Sequence, residues 1–168
     1  MIGLVVAYLD NQFYPVALEL LSRALQERGY HVLVFMAENA TERVPEVMQD
    51  LLDYQVDGII TASVAMTNDL TARCSAAGIP VVMFNRGQDD DRLSEVTSDN
   101  IAGGRRAARY LIETGHRRIA HVMGWQGSST GRDRTEGFMQ ALREAGLEPF
   151  AMIDGMYSRD VASDVART

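Results

Sequence analysis

Lysine is absent from this chain of 168 residues, and all 16 basic side chains are arginine. That removes a Schiff-base lysine, a phosphate-loop lysine and a lysine general base from its chemistry. Cysteine is nearly absent too. Cys74 is the sole example, so no internal disulfide can form, and its neighbours Ala72, Ala76 and Ala77 mark it as a small buried hydrophobe rather than a nucleophile. Long apolar runs are also missing. None approaches the roughly 20 residues that span a bilayer, and the opening run, residues 2–9, has no basic leader and is too short for a signal segment with its cleavage site. The expected location is cytoplasmic, or that of a mature form whose leader has been removed. Positive charge is the last deficit. At a net charge of −7 the chain would repel a phosphate backbone, which proteins bind through clustered basic residues, so it is not a DNA-binding surface by itself.

What is present is a 46% hydrophobic content, enough for a folded core in a soluble domain. Apolar, β-branched runs recur at residues 2–7, 32–36, 58–61, 80–84 and 119–123, and helical spacing fills the gaps. Ala17, Leu20, Leu21, Ala24 and Leu25 share one face; so do Val44, Val47, Met48, Leu51 and Leu52, and later Ala107, Ala108, Leu111 and Ile112. Gly29, Gly78, Gly115 and Gly146 follow four of these segments, where glycine readily adopts the left-handed turn of a helix C-cap. Such alternation predicts an α/β fold: a doubly wound parallel sheet with helices on both faces.

In these sheets ligands bind beyond the carboxyl ends of the strands. Asp10, Asn11, Phe13 and Tyr14 follow the first strand, Glu38 and Asn39 the second, Ser63 the third, Asn85 and Arg86 the fourth, and residues 125–134 the fifth, with Trp125, Thr130 and Arg134 among them. Aromatic faces stack on the apolar side of a sugar or a base, while Arg and Asn bring fixed, multiple hydrogen bonds. That is binding equipment. Two plainer roles stand beside it: Arg86 pairing with Asp89, Asp90 and Asp91, and Phe13 acting as a hydrophobic staple for the helix it precedes.

Five segments go further. The opening IGLVVAYLDNQFY, the central VDGIITA and IPVVMFNRG, DNIAGGRRAARYLIETGHRRIAHVMG at residues 99–124 and GRDRTEGFMQALREAG at residues 131–146 together resemble the effector-binding core of the lac-repressor (LacI-type) bacterial transcription regulators, a core shared with periplasmic sugar-binding proteins. The resemblance runs from residue 2 to about residue 158. It implies a periplasmic-binding-protein-like fold of two similar subdomains, with residues 1–116 as the first and 117–168 as the start of an incomplete second. The chain is expected to stop inside the second subdomain's second helix, and the DNA-reading helix-turn-helix is expected to lie outside it.

The family's first-loop pattern, Asn-Pro-Phe-Phe, falls on Asn11, Gln12, Phe13 and Tyr14, so Asn11, Phe13 and Tyr14 carry over as ligand contacts. Its Asp-Arg after the fourth strand falls on Asn85 and Arg86. Arg86 carries over, whereas an amide at Asn85 replaces the usual carboxylate acceptor. Arg134, three residues before Gly137 and Phe138, occupies the effector-binding arginine position, and Thr130 occupies another contact position. Asp10, Asn39, Ser63, Asn85 and Trp125 are secondary candidates on the same loops. The junction from Gly115 to Arg118 resembles that of the regulators, which makes His116 a structural residue at a crossover.

The function implied is the effector-binding domain of a LacI-type regulator that takes a sugar or sugar derivative in a cleft between subdomains, as a homodimer, and couples it to operator DNA through a separate N-terminal domain. No cofactor and no membrane partner are implied. A periplasmic sugar-binding protein of a transport system is the alternative nearest in chemistry; an upstream helix-turn-helix or a signal peptide would separate the two. The alternative from another class is an enzyme on the same sheet. Its best argument is the loop at residues 124–131, which leads into a helix and has the character of an anion site. That loop lacks the phosphate-loop lysine, and His31, His116 and His121 lie away from the carboxyl edge, so no catalytic triad or histidine metal site is expected.

Overall fold

A computed structural model describes residues 1–9, 12–37, 44–64, 68–87 and 93–167. The chain divides into two compact units, residues 1–96 and 97–168.

Unit 1 begins with β1 (Ile2–Val6), α1 (Phe13–Gln26), β2 (Val32–Met36), α2 (Val44–Asp53) and β3 (Gly58–Ala62), and continues with α3 (Asn68–Ala76), β4 (Val81–Phe84) and β5 (Ser94–Val96). The strands form one wholly parallel sheet in the order β2-β1-β3-β4-β5. Alternating side chains of the buried strands feed two cores. On one face Val5, Ile59, Val81 and Met83 pack with Val47, Met48 and Leu51 of α2 and with Leu70 and Cys74 of α3. On the other, Leu4, Val6 and Ala62 pack with Tyr14, Leu18 and Leu21 of α1. Strand order reverses between β1 and β3, and such a reversal opens a crevice at the carboxyl edge of a doubly wound sheet.

β5 was not expected from the sequence. Its residues Ser94, Glu95 and Val96 are all exposed and carry no apolar run; pairing with β4 alone makes them a strand.

Unit 2 holds α4 (Asn100–Glu113), β6 (Ala120–Met123), α5 (Ser129–Glu144), β7 (Ala151–Asp154) and α6 (Arg159–Val165), with β6 and β7 paired in parallel. The expected boundary after residue 116 differs from the observed division after Val96, because α4 packs along α5 and so belongs with the second unit. Two glycines allow that approach. A Cβ on Gly104 would collide with the backbone of Arg134, and one on Gly137 with the carbonyl oxygen of Ile101.

The four expected helix stops are at φ +81, +70, +94 and +65° for Gly29, Gly78, Gly115 and Gly146. Each closes its helix with the same pair of bonds, such as Tyr30 N–H to Leu25 O and Gly29 N–H to Gln26 O, which satisfy carbonyls the helix leaves open. Polar N-caps open the helices of unit 2: Asp99 accepts from Ala102 N–H at 2.9 Å, Ser128 from Gly131 N–H at 3.2 Å and Ser158 from Val161 N–H at 3.3 Å. Among the described residues no helix is long and apolar enough to cross a membrane.

Candidate functional site

The carboxyl edge of β1, β3 and β4 gathers polar side chains around one buried phenol. Tyr14 sits in the first turn of α1 with 4% of its surface exposed. Its hydroxyl shares a hydrogen bond with Ser63 Oγ and accepts one from Asn85 Nδ2 at 2.6 Å; Asn85 Nδ2 also lies 3.4 Å from Ser63 Oγ. Ser63 and Asn85 both have left-handed backbones, φ +60 and +68°. Such conformations in non-glycine residues cost on the order of 1–3 kcal/mol and persist where surrounding contacts over-determine them. Here the hydroxyl and amide bonds provide those contacts.

Arg86 is buried, at 8% exposed, in the same loop as Asn85. Phe13 is turned the other way. Its ring stacks on Phe84 of β4 at 5.9 Å, stands edge-on to Tyr14 at 5.1 Å, and remains 49% exposed; as the first residue of α1, after the N-cap Gln12, it does not occupy the position of a hydrophobic staple.

Unit 1 thus brings Tyr14, Ser63, Asn85 and Arg86 to one edge of the sheet and leaves Phe13 as an aromatic rim. It also adds Tyr8, which sequence reasoning missed. This half-buried residue stands edge-on to Tyr14 at 5.0 Å. Burial is the largest cause pushing its phenol up to about 12, Tyr14 adds to it, and a hydrogen bond from Ser63 and the Arg86 charge oppose it. Asp10, Asn11 and Asn39, with Glu38, Asp89, Asp90 and Asp91, lie outside the described residues.

In unit 2 the candidates fall into two groups at the start of α5. Ser128 and Thr130 are buried, and both hydroxyls meet the Tyr157 hydroxyl at 3.0 Å. Tyr157 lies over Gly124, where a Cβ would strike its ring, and it and Met156 have φ of +55 and +53°. The Trp125 ring folds against Gly127 in the same loop. One turn into α5, exposed Arg134 donates through Nε to Oδ1 of buried Asn100 at 2.9 Å. The Gly104 and Gly137 crossing holds these two helices close enough for that bond.

Tyr157 and Asn100 were not singled out from sequence. Tyr157 follows β7, a strand too short and mixed to recognise, whereas the signal that could have found Asn100 is the Asp before it, an N-cap residue type at the start of an amphipathic helix. His116 closes α4, with Nδ1 3.2 Å from Leu111 O and 3.1 Å from Thr114 Oγ1. Among the described residues no group of His, Cys, Asp and Glu is placed to hold a metal ion.

A doubly wound parallel sheet with hydroxyls, an amide and an arginine at its switch point is the architecture of a small-molecule-binding domain. The family model for periplasmic binding proteins and the sugar-binding domain of the LacI family matches residues 1–166. The chain belongs to that family. It is 37% identical over 127 residues to the HTH-type transcriptional regulator CelR of Thermobifida fusca, an alignment covering 74% of this chain and 37% of the relative. Among solved structures, a transcriptional regulator CelR–cellobiose complex superposes with a TM-score of 0.86 at 30% identity, covering 99% of this chain and 54% of that one. A periplasmic binding protein/LacI transcriptional regulator from Alkaliphilus metalliredigens, complexed with D-xylulofuranose, superposes at 0.85 with 27% identity, covering 94% and 57%. The chain spans less than half the length of the curated relatives it matches; for the ribose operon repressor of Escherichia coli the share is 44%.

Proposed function

We propose that this chain is the effector-sensing part of a transcription regulator, and that its effector is a neutral, hydroxyl-rich sugar. The observation that carries this reading is the cluster of Tyr14, Ser63 and Asn85 beside buried Arg86 at the switch point of unit 1. Hydroxyls and an amide offer donors and acceptors together, which suits a polyol, and one pre-placed guanidinium adds a directional, charge-assisted contact. Half-exposed Phe13 supplies an apolar face at the rim for stacking. In unit 2, Arg134, Thr130 and Trp125 are the proposed contacts.

The relatives named as regulators support the rest of the proposal: a cytoplasmic homodimer that binds operator DNA through a separate domain. Effector and operator affinities are then reciprocally coupled. Calorimetric titration of the full-length protein with cellobiose, D-xylulose and D-ribose tests the reading. Saturable binding of one of them, with a matching change in affinity for operator DNA, is the expected result. Binding of a sugar with no effect on DNA would leave a sugar-binding domain and remove the regulatory role.

A further inference from the structure

The two aromatics that open α1 have different surroundings. Phe13 keeps 49% of its surface exposed, enough to meet a sugar face, whereas Tyr14 keeps 4% and has almost none to offer. What Tyr14 does instead is hold an amide. Its hydroxyl accepts from Asn85 Nδ2 at 2.6 Å, and Ser63 Oγ, bonded to the same hydroxyl, lies 3.4 Å from that nitrogen. Two hydroxyl oxygens facing one group suit an NH2, which has two protons to give; to an amide oxygen the pair could offer only one proton while keeping the bond between them. The Asn85 amide is therefore held with its nitrogen inward. Its Oδ1 makes no hydrogen bond to a described residue and, unlike Thr61 Oγ1, is not sealed from solvent. The backbone holds the same arrangement: Asn85 N–H is bonded to Val96 O at 2.8 Å and Ser63 N–H to Phe84 O at 3.3 Å, which pins both left-handed residues to the sheet edge.

We propose that Tyr14 is a positioning residue: its buried hydroxyl fixes which way round the Asn85 amide lies, so that Asn85 Oδ1 is the acceptor that unit 1 presents to a sugar hydroxyl. The proposal rests on the sugar-sensing role given above. A carboxylate at position 85 would have two equivalent oxygens and need no such control. An amide has a donor end and an acceptor end, and Tyr14 selects between them. The consequence is selectivity for a ligand group that can donate. A substituent of similar size that cannot donate leaves Oδ1 short of a partner, which is how a hydrogen-bonding site rejects a near-isostere.

The test is calorimetry on the full-length protein with cellobiose, D-xylulose and D-ribose, and with analogues in which one hydroxyl at a time is replaced by fluorine, which cannot donate. Wild type should bind the analogue fluorinated at the hydroxyl that Asn85 meets about tenfold more weakly than the parent sugar, the loss expected for one hydrogen bond. Tyr14→Phe keeps the ring and frees the amide to turn over, so it should weaken the parent sugar by a similar factor and shrink the fluorine penalty. Asn85→Gly removes the amide at a backbone position, φ +68°, that glycine adopts without strain. It should weaken the sugar as well, and adding Tyr14→Phe to it should cost no further affinity. A purely structural role for the Tyr14 hydroxyl would lower affinity equally in both backgrounds. Equal losses there, or wild-type affinity with an unchanged fluorine penalty in Tyr14→Phe, would overturn the proposal; if Asn85→Gly still weakened binding, the site itself would stand. A wild-type protein that binds none of the three sugars would remove the sugar-sensing role, and this proposal with it.

Discussion

At the scale of single residues, the chain uses its arginines in two environments. Arg86 is buried beside a neutral hydroxyl cluster, whereas Arg134 is exposed and steered by one bond to Asn100. Because Arg134 is exposed in the free protein, Arg134→Ala should leave folding intact and weaken the effector by about 2 to 4 kcal/mol, the usual loss for a charged contact that becomes buried on binding. Calorimetry with the sugar that the full-length protein binds measures this; unchanged affinity would take Arg134 out of the site. His121 sets a pH dependence. Its ring stacks on Phe138 at 4.5 Å with Nε2 3.4 Å from Thr135 Oγ1, and burial holds its pKa below the ordinary value. The folded state therefore prefers the neutral imidazole. Its contribution is complete above the unfolded value of about 6.5 and is lost as pH falls below it. Urea midpoints should drop between about pH 7.5 and about pH 5.5, and the part of that drop due to His121 should vanish in His121→Gln.

Elements show how local pattern and long-range packing share control. The glycine after α1, α3, α4 and α5 was legible because a left-handed residue is needed wherever a helix closes this way. The same turn after α2 was not, since Gln55 fills it at φ +53°. α4 teaches a different lesson. Its apolar face is plain in the sequence, but which unit buries that face depends on Gly104 and Gly137, two positions where only hydrogen fits between the helices. Gly137→Ala should cost about 1 to 3 kcal/mol by overpacking and should also break the Arg134 to Asn100 bond by pushing the helices apart. Denaturant unfolding gives the first effect. The second would show as weakened effector binding by a protein whose arginine is still present, and full affinity would separate the crossing from the site.

For the whole molecule, charge decides what the 168 residues can do alone. A net −7 with no lysine leaves little to neutralise phosphates. The chain should give no salt-dependent anisotropy change with a labelled DNA duplex even at low ionic strength, where such contacts are strongest. Measurable, salt-sensitive binding would show that a DNA surface exists within these residues and would overturn the assignment of operator contact to a separate domain.

The sequence by itself determined the alternation of strands and helices, their apolar faces, most of their ends and the loops that carry polar side chains. These follow from interactions a few residues apart, whose periods are written directly in the chain. Only the tertiary structure decided that Tyr14, Ser63 and Asn85 share one hydrogen-bonded cluster with Tyr8 edge-on against it, because that depends on β1 lying between β2 and β3 with β4 beyond. It also decided that β5, wholly polar or exposed, is a strand, and that α4 belongs with α5. Such pairings are set by the total surface buried and by whether two backbones can approach at a glycine. Neither quantity has a local period to read.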